Sequence, residues 1–188
     1  DVIAMDNGIK KIYTGKIVEI TKHPDADKLQ VCQVECLTEE GEPVTKQIVT
    51  AATNVAVGQI VPVAYHKSRL ADGTEIKKGK LRGEVSEGMF CSVAEFGISS
   101  DLVLPEEAQG IYIFPEGTPI GLDVKDVLGL NDTVYEFELT ANRADCFSMV
   151  GLSREFGMMT NQKALFPVIM VNENGESIEG KASVSIEA

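Results

Sequence analysis

The sequence predicts a mainly β fold with some α, a small β-barrel followed by a partial α+β flanking domain. Three observations predict it. Short runs rich in β-branched residues recur between positions 12 and 64. Clusters of Pro, Gly, Asp and Asn separate them at regular spacing. Only one strong helical period, at 149–159, interrupts the pattern.

Residues 1–11 carry no clear signal and read as a lead-in. The run IYTGKIVEI at 12–20 is the first strand. His23-Pro24-Asp25-Ala26-Asp27 is turn chemistry, because Pro fixes φ and Asp bonds local backbone. LQVCQVECL at 29–37 and VTKQIVT at 44–50 flank the turn at 39–42 and read as a hairpin. A loop at 53–58 leads to a strand at 60–64, and the stretch 66–80 is polar and basic. Residues 91–96 form a short helix closed by Gly97, and 101–130, which carries Pro105, Pro115 and Pro119 with Gly110, Gly117 and Gly121, is an extended closing segment. This strand count fits a five-stranded oligonucleotide/oligosaccharide-binding (OB) barrel.

A further strand is expected at 134–139, followed by the best helix of the chain. Met149, Leu152, Phe156 and Met159 make one apolar stripe, with Asp145 as N-cap. Such a stripe is core or interface, so this piece needs a partner surface. Residues 172–188 read as a polar hairpin edge.

Composition bounds the function. With 44% hydrophobic and 24% charged residues, 188 residues suffice for a real core. No apolar run is long enough to span a bilayer, and no secretion signal is read at Asp1–Asp6, so a cytoplasmic protein is expected. A start at Asp1 rather than Met suggests a piece of something longer. Cys32 and Cys36, two strand steps of two apart, share one face and read as small buried hydrophobes rather than zinc ligands. Asp25 and Asp27 are two carboxylates without further ligands, so a turn is read there and no metal.

The net charge of −12 opposes a nucleic-acid partner, but its distribution does not. Residues 1–82 hold 12 basic and 11 acidic side chains, whereas 83–188 hold 5 and 18. Only the front half could present a basic face.

Three blocks then resemble a known family. HPDADKLQVC at 23–32 resembles the signature of the EMAP-type tRNA-binding OB domain. IVTAATNV at 48–55 resembles its third strand and loop. KLRGEVSEGMFCS at 80–92 resembles its next block, with Ser86, Gly88 and Met89 intact. LTANRADC at 139–146 and the helix after it resemble the segment following the OB domain in the bacterial phenylalanyl-tRNA synthetase β-subunit family, which has Pro where Ala141 stands.

That resemblance implies a lead-in at 1–11, an OB domain at 12–130, and at 131–188 the returning, incomplete half of a flanking host domain, together an N-proximal fragment. It implies a parent phenylalanine–tRNA ligase that uses ATP and Mg²⁺, with an α subunit as partner in an α₂β₂ tetramer. The fragment itself is expected to be non-catalytic and to hold no cofactor. The sequence agrees, with no Gly-rich phosphate loop and no nucleophile beside a His.

An OB barrel holds single-stranded nucleic acid through a basic groove and stacking rings. The candidate charges are Lys16, Lys22, Lys28, Lys46, Lys67, Arg69, Lys77, Lys78, Lys80 and Arg82. Asn54 either touches ligand or holds a left-handed turn, and Ser86 lies on the family's core block. Tyr65 is the one ring expected at the surface, while Tyr13 and Phe90 are expected in the core. With no Trp, contact with tRNA(Phe) is expected to be weak, salt-sensitive and poorly sequence-specific. Asn142, Arg143 and Asp145 are read as a hydrogen-bond network at a domain interface. The rival readings are a free-standing tRNA-binding OB protein and a protein-contact module that binds no nucleic acid.

Overall fold

The computed structural model describes residues 1–186 apart from 39 and 106. The turn expected at 39–42 and the segment 131–188 therefore each include residues outside that description. The chain divides into two compact units, 1–136 and 137–188.

In the first unit the strands are β1 (Val2–Ala4), β2 (Lys10–Lys22), β3 (Gln30–Leu37), β4 (Pro43–Thr50), β5 (Ile60–Arg69), β6 (Gly79–Leu81), β7 (Glu84–Ser86), β8 (Gly88–Phe90) and β9 (Thr133–Tyr135). Five of them form one antiparallel sheet in the order β4-β3-β2-β5-β8, and two-stranded ribbons join β6 to β7 and β1 to β9. This is the mainly β OB architecture expected from the sequence. Residues 2–4, which carry no strand signal of their own, become a strand by pairing with 133–135.

The long β2 is shared by both halves of the sheet. Lys10–Lys16 pairs with β5 and Lys16–Lys22 with β3, so the strand changes partner at Lys16. Gly15 sits at that change. A Cβ there would lie 3.0 Å from Val34 and Val63 methyls and 3.1 Å from the Cys36 sulfur. The missing side chain lets the inward residues of β3 and β5 meet across the bend.

The sheet curls until β4 approaches β8. The Glu87 N–H donates to the Gln47 carbonyl at 2.8 Å, and the Gln47 side chain donates to the Val85 carbonyl at 2.9 Å. The buried Ser86 hydroxyl accepts from the Val49 N–H at 3.0 Å and donates to the Gly88 carbonyl at 2.8 Å. One hydroxyl thus supplies a ladder bond where the two strands splay. Ser86→Ala strands the buried Val49 N–H and should cost about 1–3 kcal/mol. Urea unfolding checks this, and an unchanged midpoint would mean that the seam closes without it.

Two apolar clusters lie on the two faces of β5. Val61, Val63 and Tyr65 face the barrel interior with Ile17, Cys32, Val34, Cys36, Ile48, Phe90 and Ile111. Ile60 and Ala64 face outward under Phe96, Phe114, Val124 and Leu130. Burial on both faces explains the unbroken apolar run at 60–65. The segment expected to close the barrel does so by backbone pairing. Thr14 N–H donates to the Leu122 carbonyl at 2.9 Å, and Phe114 N–H donates to the Ile60 carbonyl at 2.9 Å. Within it, Asp123 caps a one-turn helix, α1 (Val124–Val127). The expected helix at 91–96 is a 3₁₀ turn, Ala94–Phe96, ended by Gly97 in the left-handed region.

All four cysteines are free and buried, and burial pushes the Cys32 thiol up to about 11. They behave as small apolar residues.

The second unit holds a 3₁₀ turn, Ala144–Phe147, and the expected helix, α2 (Met149–Thr160). Its N-cap is Ser148, whose hydroxyl accepts from the Gly151 N–H at 3.0 Å, rather than Asp145. Asp145 lies inside the 3₁₀ turn and is held by Arg143 instead. The stripe is exposed within this unit, with Met149 and Met159 at 80% and 79% exposure. No strand forms over 172–186, where a hairpin edge was expected.

Candidate nucleic-acid interface

The basic stretch 66–82 leaves the barrel as a folded excursion between β5 and the β7–β8 seam. The chain runs out along β5 and returns antiparallel to it. Lys67 N–H donates to the Ile76 carbonyl at 2.7 Å, and Ile76 N–H donates to the Ser68 carbonyl at 2.9 Å. It then forms the β6–β7 ribbon, whose two-residue turn is Arg82-Gly83. Both turn residues have positive φ, +48° and +98°, as a type I′ hairpin requires.

Arg82 and Lys67 are two cations in the left-handed region, where Gly or Asn is the usual choice. Lys11, outside the excursion, shares that conformation at φ +58°.

The excursion holds six cations, Lys67, Arg69, Lys77, Lys78, Lys80 and Arg82, against Asp72 and Glu75. All six are exposed. Asp72 is consumed locally, because the N–H and hydroxyl of Thr74 both donate to it at 2.8 Å and hold its carboxyl below the usual range. Glu75 sits in a bridge opposite Arg69. Lys78 is paired with Glu87 at 2.6 Å, and that hydrogen bond holds Glu87 below the usual carboxylate range. Among the described residues Lys67, Lys77, Lys80 and Arg82 make no ion pair.

The structure buries two expected contact residues, Tyr65 and Ser86, and leaves a third, Lys46, half-buried. Tyr65 is 8% exposed, its hydroxyl donates to the Leu37 carbonyl at 2.9 Å, and burial pushes its phenol well above the ordinary value. It points inward because it continues the Val61, Val63 alternation along β5. Lys46 lies over that ring in a cation–π contact, its ammonium 4.6 Å from the centroid. Ser86 belongs to the seam. Tyr13 is only half-buried, 5.1 Å from the Tyr65 ring, and Phe90 is in the core.

Asn54 has ordinary φ and holds no left-handed turn. Its amide donates to the Ile111 carbonyl at 2.9 Å and accepts from the Ile111 N–H at 3.2 Å, tying the 53–58 loop to the closing segment. Lys28 is exposed at the end of the 23–29 loop. In the second unit, Arg143 reaches Asp145 at 3.0 Å and Glu155 at 2.6 Å, and its hydrogen bonds hold the Asp145 carboxyl at about 2. Asn142 is exposed beside this network.

One residue with no assigned role in the sequence reading is central here. His23, 5% exposed, joins the 23–29 loop to the excursion, with its Nε2 2.9 Å from the Leu81 carbonyl oxygen. Beside Pro in a turn its type carries no such signal. Only the fold brings residue 81 to it.

A family profile described as a putative tRNA binding domain matches residues 12–122. The phenylalanine–tRNA ligase β subunit of Geobacillus kaustophilus is 43% identical over 187 residues, covering 100% of this chain and 23% of that protein. The corresponding protein of Staphylococcus epidermidis is 46% identical over 187 residues with the same coverage. The chain therefore spans about a quarter of the length of the curated relatives it matches. Among solved structures, an RNA ligase of Naegleria gruberi with ATP and Mn superposes with a TM-score of 0.41 at 19% identity, over 72% of this chain and 38% of that one. That similarity is too low to carry an argument.

Proposed function

Because this chain belongs to the tRNA-binding domain family, which its residues 12–122 match, we propose that it is a non-catalytic module that holds tRNA by its phosphate backbone. The observation that carries this reading is the excursion: six exposed cations, two carboxylates, and a cation fixed at the ribbon tip in an unfavoured backbone conformation. Lys67, Lys77, Lys80, Arg82 and Lys28 are the contacting residues, with Arg69 contributing charge opposite Glu75 and Lys78 from its pair with Glu87. The buried rings leave little for base stacking, so recognition rests on shape and backbone rather than base identity.

The rest of the reading follows from the relatives. We assign the longer protein to phenylalanine attachment to tRNA(Phe) with ATP and Mg²⁺, in the cytoplasm and in partnership with an α subunit in an α₂β₂ assembly. No chemical step is assigned to this chain's residues. The Arg143 network and the exposed α2 stripe serve the packing of the second unit in that assembly.

The test is a salt titration of binding to unmodified tRNA(Phe), with a noncognate tRNA and a single-stranded DNA alongside. Three to five phosphate contacts predict a log–log slope of about −2 to −4 and little preference between the tRNAs. Absence of binding at low salt would instead favour a protein-contact module, a reading to which the net charge of −12 lends weight.

A further inference from the structure

We propose that His23 is a positioning residue for RNA binding: it locks the 23–29 loop to the tip of the basic excursion, so that Lys28, Lys80 and Arg82 engage one stretch of phosphate backbone together. This rests on the tRNA-binding reading above and adds to it the device that assembles the site.

The geometry is specific. The Asp25 N–H donates to His23 Nδ1 at 3.1 Å, which leaves Nε2 to carry the proton and donate to the Leu81 carbonyl at 2.9 Å. The tautomer follows from these two partners. Both ring nitrogens of one neutral imidazole are thus committed, one within its own loop and one across to the excursion. The loop is closed independently of the ring, since His23 N–H donates to the Leu29 carbonyl at 3.2 Å and Leu29 N–H to the Ala26 carbonyl at 3.1 Å. Nothing in the turn itself therefore requires the Nε2 bond. Among the described residues, that bond is the only hydrogen bond between 23–29 and 70–85.

Both ends of the bond lie next to the cations. Leu81 directly precedes Arg82, the strained tip residue, and follows Lys80. On the other side, Leu29 accepts the His23 N–H and follows Lys28. In an OB barrel, the loop after the first barrel strand and the loop between the fourth and fifth flank the oligonucleotide face. Here those loops are 23–29 and the excursion. A polyanion that bridges two independently moving loops must order both upon binding, and a bond already joining them removes that cost.

The experiment compares His23→Ala, His23→Gln, Arg82→Ala, the double variant His23→Ala with Arg82→Ala, and the wild-type chain in tRNA salt titrations, with thermal unfolding as a check on folding. His23→Ala leaves every cation in place, yet should weaken binding about tenfold at 50 mM salt and reduce the salt slope by about one. Arg82→Ala should have less effect in the His23→Ala background than in the wild type. His23→Gln, which keeps a donor of similar reach, should restore most of the slope. A merely structural role would lower the unfolding temperature without changing the slope. Wild-type affinity and slope in a folded His23→Ala overturn the positioning role, while Arg82→Ala still tests the tRNA reading by itself. If the wild-type chain binds no tRNA, the tRNA reading fails first and this proposal fails with it. If neither His23 variant folds, a Lys28→Ala and Arg82→Ala double-mutant cycle decides. Coupled losses support one assembled site, and additive losses overturn it.

Discussion

Gly88→Ala should unfold or loosen the barrel, at a cost of about 3 kcal/mol or more. A Cβ at Gly88 would lie 2.3 Å from the Ala64 carbonyl oxygen, which is backbone and cannot rotate away. That carbonyl belongs to β5, and Ala64–Met89 is the central pair of the three that hold β8 to the sheet. The new methyl therefore has to push β8 away from β5. The damage spreads because Ser86 and Glu87, just before it, make the bonds to β4. For a unit of this size, 3 kcal/mol corresponds to a fall of roughly 10 °C in Tm. Gly79→Ala is the matched control. It lies in the neighbouring ribbon with ordinary φ, and the nearest atom to its added Cβ is 4.0 Å away. It should leave Tm unchanged or raise it slightly. Equal Tm values for Gly88→Ala and Gly79→Ala would contradict the close approach described here.

This contrast shows what the sequence could reveal. The strands at 12–20, 29–37, 44–50 and 60–64 are legible because a half-buried strand needs β-branched residues in local order. The hairpin was legible because its turn is local. The function of Ser86 and Gly88 was not, since it depends on Val49 and Ala64, which lie far away in sequence. Gly15 is silent for the same reason. Tyr65 misled because the polar residues after it suggested a surface, whereas its face is set by alternation from Val61 and Val63. Lys46, one cation among many in the sequence, is singled out only by the ring beneath it. Asp145 and Ser148 are both reasonable caps by residue type. Geometry chose Ser148, because a 3₁₀ turn occupies Ala144–Phe147. Of the candidate site, the basic excursion was readable as composition. His23 was not, because its role is a bond between two loops rather than a charge.

Reversing Lys77, Lys80 and Arg82 to Glu should abolish measurable tRNA binding, lowering affinity about a hundredfold or more at 50 mM salt. Each lost phosphate contact removes about one from the salt slope, and each new carboxylate adds repulsion to the lost attraction. These three are chosen on structural grounds. Lys78 is left intact, because its ammonium balances Glu87 at the seam and its reversal would place two carboxylates together beside the barrel closure. Lys46 is left intact because it covers the Tyr65 ring. The triple variant should therefore keep its wild-type Tm, which separates loss of binding from loss of fold. A second triple reversal, Lys125, Lys163 and Lys181 to Glu, shifts the net charge by the same six units from −12, all of it outside the family-matched residues 12–122. If binding is governed by a local basic face, the second variant binds nearly as well as wild type, because it leaves every cation of the excursion in place. If both triples weaken binding equally, the chain is responding to its overall charge, and the excursion has no special claim on the phosphate backbone.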